Sequence, residues 1–230
     1  MNRLKKLFQQ SSSQDFTKSH SQDFNGLGYE MREWEFNREH SDTYQYTWSD
    51  KHSPAVIIFK YYGIEPDLPT VKNVNTLRDM YRELVGQHNG AIIRVEIGSI
   101  QNVDTVETIF KFPIEPHGVS YIGSITIPYK DRSYVLMARC AEVGTTGLRD
   151  SAIFDKMIGD GVVTFEDGTP RGWLKDPYDD SMTEGFHMNL SETEEFDAMF
   201  PEHPLTVVRG LLTQFSGLIT LDERLEKFEK

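Results

Sequence analysis

Residues 118–140, GVSYIGSITIPYKDRSYVLMARC, decide the fold. Val119, Tyr121, Gly123, Ile125 and Ile127 share one face of an alternating run, the period of two that marks a strand lying on a core. PYKDR (Pro128–Arg132) is short enough for a hairpin turn into a returning strand, SYVLMARC. A parallel return would need a crossover of a dozen or more residues, so the pairing is antiparallel.

The same logic extends upstream. Val106, Thr108, Phe110 and Phe112 align on one face of a strand over 106–112, and Ile93, Val95 and Ile97 alternate with Arg94 and Glu96. Before them, Leu77, Met80, Tyr81, Leu84 and Val85 form one apolar stripe, which predicts a helix over Thr76–Val85. Asn75 or Thr76 caps its start, and Gly86 or Gly90 stops it. Ala55–Tyr62 is a continuous apolar run, and Thr43–Trp48 alternates with Tyr44, Tyr46 and Trp48 together. Both read as strands, joined to the helix by the proline-bearing connection 65–75.

Downstream the pattern predicts a helix over Leu148–Ile158. VVTF with the Asp167-Gly168 turn predicts a small edge hairpin. Residues 169–190 read as an ordered loop anchored by Trp173, Tyr178 and Phe186. Ser191 with Glu194 suggests a capping box for a short acidic helix ending near Phe200. Leu205, Val208, Leu211, Leu212 and Phe215 mark an amphipathic helix closed by Gly217, with another turn or two through Leu221, Leu225 and Phe228. The expectation is a single α+β domain over 28–230, an antiparallel sheet of at least five strands with helices packed on it. An acidic loop and a helical C-terminal region fill about 160–230. Residues 1–27, rich in Ser and Gln, read as a disordered tail.

At 230 residues the chain can bury enough surface to fold without staples. Its one cysteine, Cys140, can form no internal disulfide, which fits a reducing compartment and makes the cytoplasm the expected location. No apolar run is long enough to span a membrane, and MNRLKKLF is too short to anchor on one. A net charge of −12 disfavours nucleic acid as a partner. That charge is concentrated: from Asp150 to His203 there are fourteen acidic residues and three basic ones, a net −11, so the rest of the chain carries −1.

The block LRDMYRELVGQHNGAIIRVEIGSIQNVDTVETIFKF (77–112), followed by the hairpin above and a further helix, resembles the Mog1/PsbP/DcrB-like α/β sandwich. The likeness covers roughly residues 75–158 and rests on element order. It implies a binding module, since bacterial proteins of that sandwich include small effector-binding chaperones of secretion systems. No catalytic residue set unites them, so the likeness implies no active site, and the acidic 160–203 region departs from the pattern.

Signatures of catalysis are sparse in the sequence. Cys140 follows Arg139, a cation able to lower a thiol pKa, but its alternation with Tyr134, Leu136 and Ala138 puts it on the core face. No G-x-S-x-G elbow occurs, and GTTG at 144–147 lacks the lysine of a phosphate loop. The seven histidines include no i,i+4 pair. Asp176, Asp179, Asp180 and Glu184 lack the calcium-loop spacing. No catalytic, metal or cofactor site is therefore expected.

The expected function is a non-catalytic intracellular protein-binding module, of the immunity-protein or secretion-effector-chaperone kind, using an acidic surface against a basic protein partner. Trp173, Asp176, Tyr178, Asp179, Asp180 and Glu184 are the expected contact residues, aromatic anchors among carboxylates. The alternatives are a hydrolase built on Cys140 with a spatially adjacent histidine, and a structural subunit self-associating through the 205–216 helix.

Overall fold

A computed structural model describes residues 23–31, 33–182 and 185–229. In chain order the strands are β1 (Asp23–Phe24), β2 (Leu27–Tyr29), β3 (Glu35–Phe36), β4 (Gln45–Ser49), β5 (Val56–Tyr62), β6 (Ala91–Ile100), β7 (Val103–Pro113), β8 (Val119–Pro128), β9 (Ser133–Ala141), β10 (Thr164–Glu166), β11 (Thr169–Arg171) and β12 (Ile219–Thr220). The α-helices are α1 (Val74–Gly86), between β5 and β6, α2 (Leu148–Gly159), after β9, and α3 (Pro204–Leu218), before β12.

The main sheet is seven-stranded and antiparallel throughout, in the order β3-β4-β5-β9-β8-β7-β6. This single α+β domain has its helices packed against the sheet, as the sequence pattern predicts. The turn at 129–132 joins β8 to β9, which pair from Pro128↔Ser133 to Ser120↔Ala141. β6 and β7 run three or more residues beyond the alternating runs seen in the sequence. They meet at a two-residue turn, Gln101–Asn102, with both residues at positive φ (47° and 64°). α1 carries the chain from β5 to the far edge, and the four-strand meander then returns to lay β9 on β5.

Alternation sorts the side chains into two layers. On one face Ile57, Phe59, Tyr121, Ile125, Ile127, Tyr134, Leu136, Ala138 and Cys140 pack under α3 through Leu205, Val208, Leu212 and Phe215. Gly123 lets α3 come close, since a Cβ there would lie 2.6 Å from Val208 Cγ1 and 2.8 Å from Leu212 Cδ1. On the other face α1 places Leu77 against Ile92, Val95 and Val106, joined by Leu68, Val71 and Phe228. A smaller cluster of Ile153, Met157, Val163 and Phe196 ties α2 to the acidic segment.

Several boundaries differ from the sequence reading. Of the expected tail, 1–22 lie outside the described residues, while Phe24 and Leu27 are buried in the main core and β1, β2 and β12 form a small second sheet. Burial of Phe24 and Leu27 and the pairing of β2 with β1 and β12 hold residues 23–29 against the core. The acidic helix is two 3-10 segments, Leu190–Glu192 and Glu194–Met199, and the capping box is Asn189 with Glu192, not Ser191 with Glu194. After α3 the chain forms β12 and turns, not helix, because Leu221 and Phe228 bury into two different clusters. The Asp167-Gly168 hairpin exists but stands apart from the main sheet.

Candidate functional site

Much of the acidic segment is spent inside the protein. Glu192 is fully buried (0% exposed), and its carboxylate accepts from Lys111 Nζ (2.7 Å), the Tyr121 hydroxyl (2.7 Å) and the Asn189 backbone N–H (2.8 Å). Lys111 on β7 and Tyr121 on β8 reach it from the α3 face of the sheet. Burial, with Glu192 alongside, pushes the Tyr121 hydroxyl well above its ordinary pKa. A buried charge persists only when paired and hydrogen-bonded, and this one meets both conditions.

Two arginines extend the cluster. Arg149, at the start of α2, donates to the carbonyls of Ser191 (2.6 Å) and Thr193 (3.0 Å) and pairs with Asp197 at 3.0 Å. Arg209 on α3 donates to both Asp197 carboxylate oxygens (2.8 and 3.1 Å) and to the Glu192 carbonyl (2.6 Å). Burial lowers the Arg209 pKa. Asp150 accepts from Ser191 and Asn189, and Arg94 pairs with both Glu107 and Glu194. This network clamps the 189–197 chain between α2, α3 and the sheet.

Beside it lies His203, which caps α3 by accepting the Leu205 N–H on Nδ1 (3.3 Å). Its proton is therefore on Nε2, 3.9 Å from Glu142 Oε1. Burial, and Arg149 nearby, pull His203 down to about 4. Glu142 is itself held by the backbone N–H groups of Val119 (3.0 Å) and Gly147 (2.8 Å). Cys140 is 1% exposed, and burial pushes its thiol up to about 11. It is thus a protonated core thiol rather than the thiolate that nucleophilic chemistry uses.

The five expected contact residues that are described divide between internal and exposed positions. Asp176 is 4% exposed and accepts from Arg82 Nη2 (3.0 Å) and the Tyr178 N–H (2.9 Å). Tyr178 turns its hydroxyl onto the edge of β6, accepting the Val95 N–H at 2.7 Å with Glu96 Oε1 at 2.9 Å, while Arg78 lies 3.6 Å over its ring. Both residues are fastenings of the loop to α1 and β6. Asp176 is buried, with its pairing to Arg82 made inside the fold. Trp173 packs edge-on against Phe154 at 4.9 Å, so it too is partly internal. Asp179 holds a turn through Ser181, whose hydrogen bonds lower its pKa, and Asp180 is exposed. Glu184 lies outside the described residues. Phe186, an expected loop anchor, is 39% exposed, with Lys111 Nζ 4.7 Å from its ring centre.

What the segment does present is elsewhere. Asp155, Asp167, Asp180, Glu195 and Glu202 are exposed and make no ion pair among the described residues. Phe165, on β10, is 53% exposed and meets Phe154 edge-on at 6.3 Å. Sequence reasoning passed over Phe165, although one aromatic in an otherwise polar hairpin was the available signal. A groove of about 980 Å³ lined by Glu65, Lys130, Asp131, Glu226, Lys227, Phe228 and Glu229 lies apart from this segment. Its lysines are occupied, Lys130 by Glu226 and Lys227 by the Asn102 carbonyl (2.7 Å). Among the described residues no cluster of three or more His, Cys, Asp or Glu is placed to hold a metal. No helix among them is long and apolar enough to cross a membrane. Compared with known proteins, the chain matches no family model and no curated sequence.

Proposed function

We propose that this protein is a non-catalytic binding module of the cytoplasm that recognises a basic protein partner, in the manner of an immunity protein or an effector chaperone. One observation supports the reading above others. With Asp150, Asp176, Glu192, Glu194 and Asp197 engaged inside the fold, and Asp160 and Glu166 paired with Lys156 and Arg171, five carboxylates among the described residues are exposed and without an ion pair, at Asp155, Asp167, Asp180, Glu195 and Glu202. Such uncompensated charge speeds encounter with an oppositely charged surface and rejects like-charged ones. The element order, a helix and a four-strand meander followed by a second helix, also agrees with the Mog1/PsbP/DcrB-like resemblance.

The test is capture from the native cell with the full chain and with a variant carrying all five positions as amides. Substitutions at exposed positions each change stability by no more than about 0.5 kcal/mol, so the variant folds. The reading expects a basic protein retained at low salt, released as salt rises, and lost from the amide variant. Equal capture by both forms refutes it.

A further inference from the structure

The β10–β11 hairpin stands apart from both sheets, and every residue from Thr164 to Arg171 is exposed. A lone two-stranded hairpin is marginal in water, so this one depends on its base. There Val163 is buried with Ile153, Met157 and Phe196. Gly172 (φ +80°) runs so close to the opposite strand's approach that a Cβ would lie 2.8 Å from the Val162 carbonyl oxygen. At the tip, Asp167 and Gly168 both take positive φ (49° and 77°), the geometry of a two-residue hairpin turn.

Phe165 sits in this polar setting with more than half its surface in water. Its ring meets Phe154 at 6.3 Å and 89°, and Phe154 meets Trp173 at 4.9 Å and 86°. Three aromatics thus form a continuous ladder from the hairpin to its base, and Ile158 at the end of α2 and Val162 before β10 are also exposed. The same helix and hairpin carry Asp155, Asp160, Glu166 and Asp167. Lys156 neutralises Asp160 and Arg171 neutralises Glu166, which leaves Asp155 and Asp167.

We infer that this aromatic ladder anchors an arginine-bearing segment of the basic partner, an inference that rests on the reading above and names its contact. A guanidinium lays its plane on an aromatic face and binds a carboxylate through its bidentate fork at the same time, whereas an ammonium, as at Lys111 between Phe186 and Glu192, meets both only as a point charge. The protein makes that combination internally, where Arg78 lies 3.6 Å over the Tyr178 ring and donates to Glu96 at 2.7 Å. Exposed aromatic surface amid carboxylates is also the composition of a binding hot spot and its charged rim.

The experiment titrates the full chain with acetylated hexa-arginine amide and, separately, with its hexa-lysine counterpart, followed by amide and indole NMR shifts at low ionic strength. The inference expects shifts at residues 164–171 and at the Trp173 indole N–H, with hexa-arginine bound about fivefold tighter than hexa-lysine. Phe165→Ala weakens hexa-arginine about fivefold and removes that preference, while Phe165→Tyr keeps it. Asp155→Asn with Asp167→Asn weakens both peptides alike. A melting curve of Phe165→Ala that matches the parent shows that the fold is intact. Equal affinity for the two peptides, shifts confined to Glu195 and Glu202, full arginine affinity in Phe165→Ala, or no binding of either peptide overturns the anchor. Retention of a basic partner lost only from the five-amide variant would in those cases leave the acidic-surface reading standing.

Discussion

Glu192→Gln removes one charge from the centre of the molecule and almost no volume. The glutamine can still turn its oxygen to Lys111 and the Asn189 N–H and donate its amide to the Tyr121 oxygen, so the hydrogen-bond count survives. What is lost is the counter-charge of Lys111, whose side chain is 4% exposed and has no other carboxylate within ion-pair distance among the described residues. Removing one partner of a buried ion pair costs about 3–5 kcal/mol. That is a large share of the roughly 5–15 kcal/mol that holds a domain folded. With a urea slope of about 2 kcal/mol per molar, the unfolding midpoint should fall by about 1.5–2.5 M. Lys111→Met in the same background removes the stranded charge and should restore most of the loss. The two substitutions then couple by about 2 kcal/mol or more, read from a double-mutant cycle of urea midpoints. A loss below about 1 kcal/mol for Glu192→Gln, or losses that simply add in the double variant, would refute the claim that this pair clamps the acidic segment to the sheet.

Further outcomes follow from the same geometry. Tyr178→Phe leaves the Val95 N–H on the edge of β6 without its acceptor, which should cost about 1–2 kcal/mol and speed hydrogen exchange at that amide. His203 has a folded pKa of about 4 against an ordinary 6.5, so the unfolded chain binds the extra proton between those values. Its contribution is intact above pH 6.5 and falls away as pH drops towards 4, a change of about 3 kcal/mol. His203→Asn, which keeps a cap on α3, should flatten that part of the urea-midpoint-against-pH curve relative to the parent, and an unchanged slope would contradict the assignment. The Cys140 thiol, buried and raised to about 11, should resist a thiol-reactive chromophore at pH 8 in the native protein and react fully only once urea unfolds it.

The sheet was legible in the sequence because its information is local. The alternation at 119–127 and 133–140 and the stripe from Leu77 to Val85 each specify an element and its buried face without reference to the rest of the chain. Short turns then force antiparallel pairing. The same local rule placed Cys140 in the core and called for a turn at Asp167-Gly168. Where two apolar residues sat among polar ones, as at Phe24 and Leu27, the period was too short to detect, and their burial and strand pairing appear only in the tertiary structure.

The acidic segment shows the other limit. Composition gives the number of its carboxylates, but which are exposed depends on cations far away in sequence. Asp176 is claimed by Arg82 across 94 residues, Glu192 by Lys111 across 81, and Glu194 by Arg94 across 100. A carboxylate on a flexible chain and one locked in a buried pair read identically in a sequence. Desolvation separates them, and desolvation is fixed only when the sheet brings Lys111 and Arg94, and the helices Arg82, Arg149 and Arg209, against that stretch. Sequence therefore determined the α+β architecture and the place of the charge, while tertiary structure decided which charges remain exposed.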